Sequence, residues 1–223
     1  MNNLDLDRDG AKRHEAVLDA ATLSALRALA DANTAERPGA RLFGAETLRP
    51  LLANDGQIGA LAAARLGLEA KAVRAVVFDK TKVNNWAVAW HQDRTIAVQE
   101  RFEVEGFGPW STKAGAPHVA PPFALLERML TLRVHLDPCP ADNAPLLVAP
   151  GSHRLGRVAA GDAASEAERL GTAVCLAEAG DVWVYATPIL HASDRAAWPR
   201  RRRVLQIDFS ADDLPGGLGW LGV

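Results

Sequence analysis

The spacing of apolar positions in this chain changes character near residue 70. Before it, Leu23, Leu26, Leu29 and Ala30 recur at helical intervals, with Thr22 as the predicted N-cap and Asp19 just ahead of it. A second helix is predicted over residues 55–66, marked by Ile58, Leu61 and Ala62 and stopped by Gly67. Arg37-Pro38-Gly39 and Pro50 punctuate the loops between them. From Val73 onward the period falls to two. Residues 73–78, 86–91, 95–98, 130–136, 145–149, 173–176, 181–185 and 202–209 read as strands, and residues 103–122 read as a long loop. In the 130–136 strand Leu130, Leu132, Val134 and Leu136 share one face, opposite Thr131, Arg133 and His135. In the last strand Arg203 goes with Leu205, Ile207 and Phe209, while Arg202 goes with Val204, Gln206 and Asp208. If helices cover the aliphatic faces, the polar faces line a cavity; a solvent-facing polar side is the competing reading. Helices first and short strands afterwards predict one α+β domain over 1–223, with a mostly helical part (1–70) and a mainly β core (71–210) of sandwich or barrel type.

Composition narrows the setting. A 223-residue chain with 48% apolar and 23% charged residues has the make-up of a soluble globular domain with a full core. The formal net charge of −2 and the absence of a nucleic-acid motif argue against nucleic acid or an anionic membrane as partner. Cys139 and Cys175 make no disulfide framework. Asp5, Asp7, Arg8, Asp9, Lys12 and Arg13 leave no room for a secretory signal core, and no apolar run reaches the ~18 residues that a bilayer requires. The expectation is a cytoplasmic protein that handles a small molecule.

The strongest chemical signal is His91-Gln92-Asp93, with His191 far downstream. Residues i and i+2 of a strand point to one side, so one strand end can present His91 and Asp93 to a single metal. Two histidines and a carboxylate form the facial triad that holds non-haem Fe(II) and leaves coordination positions open; the same donors also suit zinc. Chance His-x-Asp pairs are common, and the pair gains weight only from its surroundings. Arg94 beside it, and Trp110, Lys113 and His118 in the 103–122 loop, are candidates to meet a substrate. His153 is expected to shape its turn, His14 has no evident partner, and His135 faces the expected cavity without a motif role. No Gly-x-Ser-x-Gly or phosphate-binding Gly-x-x-x-x-Gly-Lys is present.

An ordered series of short motifs resembles the phytanoyl-CoA dioxygenase family of Fe(II)/2-oxoglutarate oxygenases. It runs through Asp7-Arg-Asp-Gly10, Phe78-Asp-Lys80, the segment from Asn85 to Asp93, and Met129 to Asp137. It continues with Asp142-Asn143-Ala-Pro-Leu146, Pro150-Gly-Ser-His153, Ala179-Gly-Asp181, His191-Ala-Ser193 and Arg202-Arg-Val-Leu205. Most of residues 70–210 are covered. The resemblance implies a double-stranded β-helix (a jelly roll, cupin-like) with helices packed outside. It implies Fe(II), O2 and 2-oxoglutarate as the reactants that hydroxylate a small molecule with release of succinate and CO2. His91, Asp93 and His191 would hold the metal, and Asp93 favours hydroxylation, because related halogenases lack that carboxylate. The family's arginine for the distal carboxylate of 2-oxoglutarate stands eleven residues after the last histidine, which selects Arg202 from the run Arg200–Arg203, in agreement with strand alternation. Ser193 and Thr131 would support that carboxylate with their hydroxyls. Ala144 stands where the family usually has glycine. A metal-binding cupin-like isomerase or binding protein without oxygenase turnover is the alternative, separated from the first reading by the need for the Arg202 clamp.

Overall fold

The computed structural model describes residues 3–34 and 37–223. Its strands are β1 (Ala11–His14), β2 (Gly39–Leu42), β3 (Lys71–Lys80), β4 (Val88–His91), β5 (Ile96–Ala97), β6 (Trp110–Lys113) and β7 (Ala116–Val119), followed by β8 (Leu130–His135), β9 (Leu146–Val148), β10 (Ala173–Cys175), β11 (Val182–Ala186), β12 (His191–Ser193) and β13 (Arg202–Ser210). Its α-helices are α1 (Leu6–Asp9), α2 (Ala20–Thr34), α3 (Arg49–Leu52), α4 (Gly59–Leu66), α5 (Phe123–Glu127) and α6 (Ala163–Leu170). Antiparallel pairing builds a six-stranded sheet in the order β1-β11-β8-β13-β3-β2 and a four-stranded sheet in the order β10-β9-β12-β4. A small third sheet has the order β5-β7-β6.

The six-stranded sheet has two unlike faces. Leu130, Leu132 and Val134 of β8 and Leu205, Ile207 and Phe209 of β13 pack against Leu26 and Ala30 of α2 and Ile58 and Ala62 around α4. Full burial of such side chains contributes roughly 1.5–3 kcal/mol each. Asp19 caps α2 by accepting the Thr22 backbone N–H at 2.7 Å, so the cap lies three residues before the expected Thr22. The opposite face turns toward the four-stranded sheet, and Trp183 and Tyr185 of β11 meet Leu146 and Val148 of β9 and Cys175 of β10 between the sheets. The polar residues of β8 therefore lie inside the protein, not in solvent.

Several elements differ from expectation. The first third is not mainly helical between its two long helices. It contributes β1 and β2 as the two edges of the large sheet, while Met1, Asn2, Ala35 and Glu36 lie outside the described residues. β1 has a single buried position and β2 follows Arg37-Pro38-Gly39, so neither carries the apolar alternation that would announce it. The second helix starts at Gly59, not Asp55, preceded by the short turn of α3. Residues 103–122 contain the β6–β7 hairpin, whose two-residue turn holds Ala114 and Gly115 at φ 50° and 80°. Such turns usually show Asn-Gly or Gly-Gly, and β7 itself carries Pro117, so the local signal pointed away from strands. Among the described residues, no helix is long and apolar enough to cross a membrane.

Candidate metal centre

β12 lies between β9 and β4, and its register with β4 sets His191 directly across from His91. Asp93 follows two residues after His91, on the same side of the chain. One donor atom from each of the three lies within 4.8 Å of the others, and the imidazole rings stand 4.2 Å apart between centroids. Each histidine points its Nδ1 at the carbonyl two residues earlier, His91 to Ala89 at 2.8 Å and His191 to Ile189 at 2.9 Å. Donation from Nδ1–H leaves each Nε2 as a free lone pair, the form a metal requires. Burial pushes His191 down to about 4, against the opposing charge of Asp93, which keeps it neutral.

Asp93 is half-buried, and its desolvation favours the protonated form, but Arg74 and the two histidines outweigh this and hold it below the ordinary carboxylate value. Arg74 stands 3.5 Å from Asp93 through NH2 and donates from Nε to Asp208 at 2.6 Å. Asp208 is pushed up by burial and by the Asp93 charge, and it accepts a hydrogen bond from Thr131 at 3.1 Å. Gln92, pointing away from the triad, fastens the same turn. Its amide donates to Pro188 O (2.9 Å) and Gly156 O (3.0 Å), and its carbonyl accepts from Val158 N at 2.9 Å. Ser152 of the Pro150-Gly-Ser-His153 loop accepts the Leu190 N–H at 2.8 Å, fixing the residue before His191. Gly10 caps α1 at φ 79°, where a Cβ would come 2.3 Å from His153 Nδ1, so His153 packs against this cap and is not part of the His91–Asp93–His191 cluster.

Beside the triad lies an inner cavity of about 510 Å³, lined by His91, Asp93, His191, Ser193, Arg202, Arg133 and Lys80 among others. The four consecutive arginines divide sharply here. Arg200 pairs with Asp142, Arg201 with Asp79 and Asp31, and Arg203 with Asp137 and Asp31. Arg202 is 1% exposed, and no carboxylate among the described residues pairs with it. It donates to the Ala144 carbonyl at 2.7 Å and approaches Cys139 Sγ, while its buried Nε has no partner among the described residues. A buried guanidinium without a counter-charge carries a penalty of several kcal/mol, so the site is built for an anion. Two further cations share it. Lys80 donates to Ser193 Oγ (3.2 Å) and Asp194 O (2.8 Å), and burial together with Arg202 and Arg133 pushes it down to about 8. Arg133 holds Gln206 Oε1 at 3.1 Å. Ala144, in the turn that feeds Arg202, has φ 54°, the left-handed conformation that glycine would adopt freely.

The structure brings His91, Asp93, His191, Arg202 and Ser193 around one cavity, but not every expected residue. Thr131 pairs across to Asp208, while Arg202 sits near the far end of the strand opposite Lys80, so the register carries Thr131 away from Arg202 and onto the Asp208 network. Arg94, one residue after Asp93, turns to the Val158 carbonyl and lines neither cavity beside the triad. Trp110 packs in the apolar cluster with Ile96 and Val119, under the Arg101 guanidinium, and is likewise absent from both cavities. Lys113 does reach the outer cleft described below, and donates to Thr95 Oγ1 at 3.0 Å. His118 is buried with Nδ1 on the Ala116 carbonyl, and His135 is buried with neither ring nitrogen bonded among the described residues. Arg74, Lys80, Gln206 and Asp208 were missed as site residues. The inward alternation Arg74, Val76, Phe78, Lys80 along β3 was the available signal.

Residues 6–204 match the model of the phytanoyl-CoA dioxygenase (PhyH) family. No curated protein matches the sequence significantly. Among solved structures, the epimerase SnoN in complex with Fe3+, α-ketoglutarate and nogalamycin RO is 20% identical with TM-score 0.66, covering 95% of this chain and 88% of SnoN. EctD from S. alaskensis with bound Fe is 19% identical with TM-score 0.69, covering 92% of this chain and 74% of EctD. HygX from Streptomyces hygroscopicus with nickel and 2-oxoglutarate is 14% identical with TM-score 0.62, covering 92% and 84%. At such identities the likeness is one of fold, and the family follows from the match over most of the sequence. The chain belongs to the phytanoyl-CoA dioxygenase family of Fe(II)/2-oxoglutarate-dependent oxygenases.

Proposed function

We propose that this protein hydroxylates a small organic molecule, with His91, Asp93 and His191 holding Fe(II) and Arg202 holding the distal carboxylate of 2-oxoglutarate. The observation that carries the reading is Arg202 itself, a fully buried cation with no carboxylate partner among the described residues, opening on the cavity that the triad also lines. A cupin that only binds metal has no use for it. Bound Fe(II) and 2-oxoglutarate would supply O2 activation coupled to oxidative decarboxylation of the keto acid to succinate and CO2.

The chain's own residues set the conditions for that chemistry. The two imidazoles, each turned by its Nδ1 contact to a backbone carbonyl, present Nε2, and Arg74 restrains the Asp93 carboxylate while Asp208 keeps Arg74 in place. Arg202 and Lys80 neutralise the cosubstrate's distal carboxylate, and Ser193 orients it from beside Lys80. The carboxylate of Asp93 supports hydroxylation over halogenation, since it occupies the position a halide would need. SnoN is described as an epimerase and SnoK as a carbocyclase, so the shared fold serves more than one outcome. We read the two facing sheets as the double-stranded β-helix of this family, forming a single catalytic domain.

The test is oxygen-dependent succinate formation. Reconstituted with Fe(II) and supplied with 2-oxoglutarate, the protein releases succinate slowly without substrate and faster with it. Absence of succinate under both conditions, with metal bound, contradicts the proposal.

A further inference from the structure

We infer that the substrate is an organic anion, an apolar body with one carboxylate or phosphate group, and that Arg41 and Lys113 hold this group in the outer cleft. The inference rests on the oxygenase reading of the triad and adds the substrate class. The outer cleft, about 1760 Å³ including its open mouth, shares Phe78, Trp86, Asp93 and Gln206 with the inner cavity, so it is the approach to the metal. Its charged lining is one-sided. Arg41, Arg74, Lys113, Arg37 and Arg195 face a single carboxylate, Asp93, which is itself a metal-ligand candidate.

These cations are not equivalent. Arg74 is committed to Asp208 and Asp93. Arg37 and Arg195 are exposed, which suits attraction of an anion from solution more than its grip. Arg41 is different. It sits on β2 opposite Val76 of β3, so it shares the inward face with Arg74, Phe78 and Lys80, one diagonal step (roughly 7–8 Å) from Arg74. It has no ion pair among the described residues, and its Nε is buried without a hydrogen-bond partner. Lys113, from the β6–β7 hairpin, gives one hydrogen bond to Thr95. Burial, with the charge of Arg74, holds Arg41 below its ordinary value, and the same causes with Arg41 added hold Lys113 down. Such crowding of like charge is unfavourable until an anion enters. Phe78, Trp86 and Val83 supply the apolar wall beside it. The cations of the inner cavity are separate, and the cosubstrate occupies them.

The experiment uses the anaerobic Fe(II)–2-oxoglutarate complex of the full chain. Octanoate, octyl phosphate and neutral octanamide are titrated in, and binding is read both by calorimetry and by perturbation of the complex's visible absorption band. One of the anions is expected to bind about tenfold or more tightly than octanamide, and which one identifies the group. Arg41→Gln and Lys113→Gln each shrink that preference, and the double variant removes it, while Arg169→Gln, exposed on α6 and lining neither cavity, leaves it intact. Equal binding of octanamide, no binding of either anion, or a preference that survives the double variant overturns the inference. Failure of the absorption band to form at all counts instead against the oxygenase reading, and calorimetry then still decides the anion preference.

Discussion

The two faces of the six-stranded sheet treat charge in opposite ways. On the outer face each buried or half-buried charge has its counterpart, Arg203 with Asp137 at 2.8 Å and Arg201 with Asp79 at 2.6 Å, under the cover of α2. On the inner face Arg74 is paired with Asp208, but Arg202, Lys80 and Arg133 crowd one cavity whose carboxylate among the described residues is Asp93, the metal-ligand candidate. Neighbouring residues of one strand, Arg202 and Arg203, thus serve different ends. The outer charges belong to the fold. The inner ones weaken the metal-free protein, and a bound dianion would reverse that effect.

Substitutions separate the two faces. Asp93→Ala removes one of the three proposed metal donors, and succinate formation should fall by about a thousandfold or more. Arg202→Leu should weaken 2-oxoglutarate binding by roughly 30- to 1000-fold, as expected for loss of a buried charged partner, yet leave the thermal stability of the metal-free protein unchanged or higher. Arg203→Ala should do the reverse, with about 2 kcal/mol lost in denaturant unfolding because buried Asp137 loses its charged hydrogen bonds and is left with the 3.5 Å ion pair with Arg27, and with 2-oxoglutarate affinity preserved. If Arg202→Leu and Arg203→Ala behave alike in both assays, the contrast between the faces is wrong.

Acid should expose the inner face as well. His135 is held neutral, well below its ordinary value, first by burial and then by Arg133, Arg202 and Arg13. The unfolded chain therefore binds this proton more readily than the folded one, and stability falls as pH drops below about 6.5, by up to ~1.4 kcal/mol per unit. His135→Phe should flatten that limb of the stability curve; an unaltered slope would remove His135 as its cause. The smallest effect is expected in the turn beneath Arg202. Ala144→Gly relieves a left-handed alanine and should raise stability by about 0.5 kcal/mol, read as a shift in denaturation midpoint.

How far these features could be read in advance depended on whether a residue's partner lay nearby in sequence. The alternation in β8 and β13 announced both faces, and the family resemblance, through its arginine eleven residues after the last histidine, singled out Arg202. The pairing of His91 with Asp93 in one cluster was legible because the two share one strand end. Thr131 was misplaced since its position along β13 depends on register, which alternation does not specify. Arg94 and Trp110 looked suitable by proximity and by loop placement. One turns to the Val158 carbonyl, and the other enters an apolar cluster formed with a hairpin that Ala114 and Pro117 had disguised. Arg41 was invisible because β2 is an edge strand next to a proline-glycine turn, and its role arises only from pairing with β3.

The central claim is that the cavity beside the triad is a dianion site centred on Arg202. Anaerobic titration of 2-oxoglutarate into the Fe(II)-loaded protein, followed by the weak visible charge-transfer band of the chelate, tests it most directly. The account predicts a saturable band in the wild-type protein and in Arg200→Ala, shifted to much higher 2-oxoglutarate concentration in Arg202→Leu. Equal affinity in wild type and Arg202→Leu, or no band in any of them, would contradict it.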